Sequence, residues 1–278
     1  MPRHHRVLIR FGYDGARFYG VPPQPGLPTV GEALRRRLEQ AAGTRARALA
    51  WASRTDRGVH ARGNLATAAF PQDVDVVRIA ARVAVPRDDG LYAVAMRPVP
   101  EQVHARNVGV GKRYRYLVQD GVPAVRVQFL ACTLGRQRGP VGLPQTQPDA
   151  VERRSWPVAP LLDPGRMRSA ARHLVGSHDF TSFAARLGAQ EPVRTVTGIR
   201  VARVSGLVRL DVEGSGFLRY MVRNIVGLLV EVGAGIHPPA HVRTVLEARM
   251  REAAGIMAPA RGLSLRGIQM SRDWFGDH

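Results

Sequence analysis

The sequence predicts an α+β protein in which the ferredoxin-like order βαββαβ is used twice, its two units joined through a mixed or antiparallel sheet. Three observations predict it. Segments of strand and helix periodicity follow that order in each half of the 278 residues, a proline-rich stretch separates the halves, and 45% apolar content suffices for a sizeable core. The division is expected near Val110, giving an N-terminal unit over 1–109 and a C-terminal unit over 110–278.

In the first half, Arg6 to Tyr13 alternates as a strand does, and Phe18 to Gly26 is a Pro/Gly-rich loop. Val30 to Ala42 is a helix with Val30, Leu34 and Leu38 on one face. Its run Arg35, Arg36 and Arg37 then falls mostly outside, as a solvated face or an RNA contact. Strands follow at Ala46 to Ala52 and Asn64 to Phe70, a helix from about Asp75 to Ala84, and a strand from Leu91 to Pro98.

The second half repeats the order without visible sequence identity. Arg113 to Gln119 is a strand, and Asp163 to Val175 a helix with Asp163 as N-cap and Pro164 at its first position. Val193 to Arg203 and Leu207 to Glu213 are strands, followed by a helix from Phe217 to Gly233 and a last strand from Leu265 to Met270. Tyr116 to Arg153, carrying Pro140, Pro144 and Pro148, includes an exposed connection. Side by side, two such sheets would have helices on one face and an open, basic floor on the other.

Charge points to the partner. Lys+Arg 41 against Asp+Glu 22 gives a net charge of +19, a potential that attracts polyanions, and nucleic acid leads that class. Cys132 is the single cysteine, which excludes an intramolecular disulfide and a thiolate zinc cluster and points to the reducing cytoplasm. No run approaches the roughly 18 apolar residues of a membrane span, and no signal-peptide core precedes the first strand. Walker and dinucleotide loops are missing from the sequence, and Pro238 and Pro239 prevent His237 and His241 from forming a helical metal-ligand pair. No metal and no cofactor are expected.

Three constellations carry chemistry. Asp56 lies in Ser53-Arg54-Thr55-Asp56-Arg57-Gly58-Val59-His60-Ala61, on a tight connection at a strand end, where Arg54, Arg57 and His60 favour an ionised carboxylate. It is a candidate nucleophile, or it merely orders an Asx-turn beside Gly58. In Lys112-Arg113-Tyr114-Arg115-Tyr116, strand alternation sends Lys112, Tyr114 and Tyr116 to one face. That pattern suits stacking on unpaired bases, or two core tyrosines with satisfied hydroxyls. In Phe217 to Gly227, Leu218, Met221, Val222 and Ile225 form an apolar helix face, and Arg219 and Arg223 are helical neighbours. Arg223, beside that face, either snorkels or meets a carboxylate.

Arg54-Thr55-Asp56-Arg57-Gly58-Val59-His60-Ala61 resembles the signature of the tRNA pseudouridine synthase A family, Gly-Arg-Thr-Asp-Ala-Gly-Val-His-Ala. Arg113-Tyr114-Arg115-Tyr116, Met221-Val222-Arg223-Asn224-Ile225-Val226-Gly227, His104-Ala105-Arg106, and Gly176 with Asp179-Phe180-Thr181-Ser182-Phe183 match further family motifs across nearly the whole chain. The resemblance implies the pseudouridine synthase fold and a cofactor-free isomerisation of uridine in the tRNA anticodon stem-loop. It implies Asp56 as the catalytic residue, Tyr114 as the proton acceptor, Arg223 paired with Asp56, and Arg54 taking the place of the flipped base. Arg57, His60, Lys112 and Arg219 are expected to contact RNA, and the resemblance implies a homodimer with tRNA lying across both subunits.

The chain departs from the pattern at Ser53, Arg57, Val21-Pro22, Arg82 and Ser264, which leaves the three catalytic positions intact and bears on which uridine is chosen. Competing readings are a paralogue acting on another uridine, an RNA-binding module that does not react, and a phosphodiesterase, for which the sequence lacks a metal-binding carboxylate cluster.

Overall fold

The computed structural model describes residues 4–124, 126–127, 149–185, 187 and 191–276. Cys132 and the prolines at Pro140, Pro144 and Pro148 lie outside the described residues. The chain forms two compact units, Met1–Arg113 with Ser264–His278, and Tyr114–Leu263.

The first unit has the expected order: β1 (His4–Tyr13), α1 (Val30–Ala42), β2 (Arg47–Trp51), β3 (His60–Pro71), α2 (Val76–Ala84) and β4 (Leu91–Val99). Its antiparallel strands run β4-β1-β3-β2, the split-βαβ arrangement of a ferredoxin-like unit. Both helices start where short polar side chains satisfy first-turn N–H groups. Thr29 accepts from the Glu32 amide and Asp75 from the Arg78 amide. Gly43, at φ +69°, ends α1 in the left-handed region that favours glycine.

The arginine run on α1 needs correction. Arg35 and Arg36 are exposed and share Glu32, but Arg37 is only 2% exposed. Three residues after Leu34, it falls on the buried face. There its Nε donates to Asp89 Oδ2 at 2.7 Å and its Nη2 to the Leu91 carbonyl at 3.3 Å. The guanidinium thus fastens α1 to the start of β4.

The second unit contains the rest of β5 (Gly109–Gln119), then β6 (Trp156–Pro157), α3 (Pro164–Ala171), β7 (Gly176–Asp179), β8 (Val193–Val204), β9 (Leu207–Gly214), α4 (Met221–Gly233) and α5 (His241–Ala248). Its strands run β5-β9-β8-β7, with β6 parallel to the end of β5. Asp163 caps α3 through the Gly165 and Arg166 amides with Pro164 at the first position, as expected, but a 3-10 turn replaces its last turn. β6, β7 and α5 add to the simple βαββαβ order.

Two boundaries differ from expectation. The last strand, β10 (Leu263–Met270), begins on the last residue of the second unit and otherwise belongs to the first, where Ser264 and Leu265 pair in parallel with His60 and Ala61 of β3. The division within β5 falls at Arg113, and the first unit is completed from the C-terminus. The helix expected from Phe217 starts at Met221, because Tyr220 takes a left-handed conformation, φ 66°, at its N-cap.

Every residue of α4 except Arg223 is buried. A helix apolar on all sides is a core helix, and each fully buried Leu, Ile, Val or Met contributes roughly 1.5–3 kcal/mol. At Gly227 a Cβ would lie 1.8 Å from the Ile256 carbonyl oxygen, so the segment that follows α5 can cross the helix only over this glycine. We expect Gly227→Ala to cost about 1–3 kcal/mol, the range for forcing atoms into a filled core, measured as a lower urea midpoint.

Candidate active site

The first unit presents Asp56 between β2 and β3. Val59 donates its N–H to the Asp56 carbonyl at 3.2 Å, closing a turn whose third residue, Gly58, has φ +80° as a type II turn requires. Side chains along the approach alternate: Ser53 and Thr55 are buried, Arg54 and Arg57 are exposed, and Asp56 is half-buried. The turn therefore holds the carboxylate between an anchored inner side and a cationic outer side.

The Pro/Gly-rich loop packs onto this turn. Val21, fully buried, donates its N–H to the Thr55 carbonyl at 3.3 Å. Gly20 has φ +97°, and a Cβ there would lie 3.1 Å from the same oxygen. Outside, the Arg57 guanidinium carbon lies 4.1 Å from the centroid of the Tyr19 ring, a cation–π contact. Sequence reasoning passed over Tyr19; its signal was an aromatic residue in an otherwise Pro/Gly loop.

His60 is corrected from a surface contact to an interior one. As the first residue of β3 it is 5% exposed, with Nδ1 3.0 Å from Asp14 Oδ1 and 3.2 Å from the Gly15 nitrogen. A Cβ on Gly15 would lie 2.2 Å from the Val59 carbonyl oxygen, so the imidazole and that glycine together seat the far end of the Asp56 turn. Lys112 is half-buried on β5, and burial holds its ammonium below the ordinary lysine pKa.

In the second unit the two tyrosines of β5 part ways. Tyr116 is fully buried; its hydroxyl donates to the Pro259 carbonyl at 2.7 Å, and its ring passes over Gly262, where a Cβ would lie 2.5 Å from it. Burial pushes its phenol well above the ordinary tyrosine pKa, so it stays protonated. Tyr116 is the satisfied core tyrosine of the two alternatives. Tyr114, 8% exposed, meets Phe217 edge-on, with centroids 5.4 Å apart and an interplanar angle of 89°.

Arg219 and Arg223 are brought together, but not by helical spacing, since Arg219 precedes α4. Both guanidinium carbons lie near the Tyr220 ring, at 4.8 Å and 5.2 Å from its centroid, and Arg219 Nη2 donates to the Tyr220 hydroxyl at 3.1 Å. A left-handed tyrosine is a costly backbone state, and this one is flanked by two cations. Arg223 Nε donates to the Ala258 carbonyl at 2.7 Å, which orients the guanidinium and replaces simple snorkelling. The next residue, Asn224, fully buried, donates to the Phe183 carbonyl at 2.7 Å. Phe180 and Phe183 are the core anchors they were expected to be, with ring centroids 5.8 Å apart.

His237 and His241 meet despite the intervening prolines, their rings stacked at 4.1 Å across the turn into α5. Burial first, and the His237 charge second, lower the His241 pKa. Among the described residues no three His, Cys, Asp or Glu side chains are grouped to hold a metal ion.

A family model described as tRNA pseudouridine synthase matches residues 170–269, the stretch that holds Arg219 and Arg223. The tRNA pseudouridine synthase A of Syntrophotalea carbinolica is 37% identical over 95% of this chain and 94% of its own length. That of Pseudomonas aeruginosa is 35% identical over 95% of this chain and 85% of its own. For Cereibacter sphaeroides the identity is 35%, over 99% of this chain and the whole of the relative. These alignments extend the likeness to the segments that carry Asp56 and Tyr114.

Proposed function

We propose, from the premise that this chain belongs to the tRNA pseudouridine synthase A family, that it isomerises uridine in the tRNA anticodon stem-loop with Asp56, Tyr114 and Arg223 as its catalytic residues. The protein is an isomerase that acts on tRNA. The observation that carries the residue assignment is the presentation of Asp56: a half-buried carboxylate on a tight turn, anchored on one side and bordered by exposed Arg54 and Arg57 on the other.

The chemistry balances without a cofactor. The N1–C1′ bond of uridine breaks, the base turns, C5–C1′ forms, the C5 proton leaves and N1 gains one. Asp56 acts at the sugar, either adding to C1′ or assisting deprotonation of the sugar ring at the neighbouring carbon as the base leaves, and Tyr114 accepts the C5 proton. Tyr116 cannot take the second role, because its hydroxyl is committed to Pro259 and held protonated. Arg223, its guanidinium oriented through Ala258, is the cation of the proposed catalytic trio. Since C1′ and C5 are out of reach in a stacked stem, the nucleotide is flipped out at a cost of a few kcal/mol, which Arg54 inserted in its place offsets. Arg57, Lys112 and Arg219 contact the RNA; buried His60 acts through the turn instead. The reading extends to a cytoplasmic homodimer with tRNA lying across both subunits.

Turnover on bulk tRNA without added cofactor, followed by mapping of pseudouridine, tests the activity and its position. Excess chelator is expected to leave the rate unchanged, whereas a chelator-sensitive release of shorter RNA would favour a phosphodiesterase. Pseudouridine mapped outside the anticodon stem-loop would favour the divergent paralogue, since of the altered residues Val21 packs against the Asp56 turn and Arg57 lies within it.

A further inference from the structure

We propose that Asn64 is a positioning residue for catalysis, aiming the Asp56 loop through two hydrogen bonds, one to Tyr13, which passes it on to Thr55, and one to the Ser53 carbonyl. The inference rests on Asp56 being the catalytic carboxylate and names what holds it.

Asn64 is fully buried in β3, among Leu65, Ala66, Ala68 and Phe70. A buried amide in such a row costs free energy unless every polar atom is used, and here each one is. Nδ2 donates to Tyr13 Oη at 3.2 Å and to the Ser53 carbonyl at 2.9 Å, while Oδ1 accepts the Leu65 N–H at 2.9 Å. Turning the amide over would set its oxygen against the Ser53 carbonyl and its NH₂ against the Leu65 N–H, so its orientation is fixed.

The second link runs through Tyr13, fully buried, whose Oη lies 2.9 Å from Thr55 Oγ1. The two hydroxyls of this pair lie within hydrogen-bond distance, so the Asn64 contact with Tyr13 continues to Thr55. A β-bulge sets up this reach: the register of β1 on β3 shifts between Phe11 and Tyr13, and bulges re-aim the side chains beside them. Gly12, at the bulge, leaves room for the Tyr92 ring, which would lie 2.3 Å from a Cβ there, and the Tyr92 hydroxyl donates to the Ala61 carbonyl at 2.6 Å.

Asn64 therefore fixes the loop at two points on either side of Arg54: the carbonyl of Ser53 directly and the side chain of Thr55 through Tyr13. With both held inward, Arg54 faces out, and the direction of the chain entering Asp56 is set. Reacting groups must be held near the productive geometry, since a displacement of about 1 Å can cost on the order of 100-fold in rate.

The test compares Asn64→Leu, Asn64→Asp and Tyr13→Phe with a core control in the same unit, Val83→Ala. Asn64→Asp keeps the shape and loses the NH₂ that donates to both partners, and Tyr13→Phe keeps the ring and removes the hydroxyl of the relay. The two Asn64 variants are expected to lower kcat about 10- to 100-fold and Tyr13→Phe less, with KM for tRNA within about 3-fold. Adding Tyr13→Phe to Asn64→Leu should cost less than the product of the two single losses, because they interrupt one chain.

A second readout does not need catalysis: trypsin cleavage after Arg54 and Arg57, mapped by mass spectrometry, should be about 10-fold faster in the Asn64 variants and unchanged in Val83→Ala. If kcat and cleavage in Asn64→Asp and Tyr13→Phe match wild type or the control, or the loss lies in KM alone, the proposal is overturned. A wild-type protein that makes no pseudouridine, or an active Asp56→Asn, overturns the catalytic reading instead. Cleavage still decides whether Asn64 holds the loop.

Discussion

Asp56→Asn is expected to bind tRNA with near wild-type affinity and to release no measurable tritium from tRNA labelled at uridine C5. The substitution is nearly isosteric, and the turn that presents the residue is closed by the Asp56 backbone carbonyl and by Gly58, which it leaves in place. Removing one negative charge from a protein of net charge +19 does not weaken its attraction for phosphates. What it removes is the carboxylate that the proposed mechanism uses at the sugar, and loss of such a group costs about 10⁴-fold or more in turnover. Tritium release and filter binding on the same preparation separate the outcomes. Retained release would take Asp56 out of the mechanism, and lost binding would make it a folding residue.

The parts of the fold legible in the sequence are those that local physics dictates. The bounds of α1 follow from Thr29, the Val30, Leu34 and Leu38 stripe, and Gly43, all within the segment itself. The turn at Asp56 was legible because Gly58 marks it and apolar strands bracket it. What stayed hidden depends on distant partners. Arg37 sits in a basic run that looks solvated until Asp89, far along the chain, is brought beneath it. The late start of α4 could not be read from its apolar periodicity, which continues smoothly through Leu218 while Tyr220 breaks the backbone. The return of β10 to β3 is a pairing between the two ends of the chain, for which no local pattern exists.

The site divides the same way. Asp56, Tyr114 and Arg223, the residues of the proposed site, stand in dense motifs that single them out in the sequence. Their supports are not singled out there: Ala258 for Arg223, Phe217 for Tyr114, and His60 with Asp14 beneath the turn are contacts made by folding. His60 shows the hazard. A histidine next to a catalytic motif looks like an RNA ligand, yet its place at the start of a buried strand turns it inward, toward Asp14 and Gly15.

Tyr114→Phe carries the second large effect. The variant keeps the ring and its edge contact with Phe217 and loses one oxygen, so binding of tRNA should change little. Turnover should fall about 10²- to 10⁴-fold, the usual contribution of a positioned general base, and the loss should appear in tritium release from C5. Tyr116→Phe is the matched comparison, since it also removes one phenolic oxygen from the same strand. There the lost partner is the Pro259 carbonyl, so the expected cost is stability of about 1 kcal/mol, with tritium release close to wild type. A Tyr114→Phe enzyme that releases tritium at the wild-type rate would require another base. Equal losses in the two variants would mean that β5 supplies structure rather than a proton acceptor.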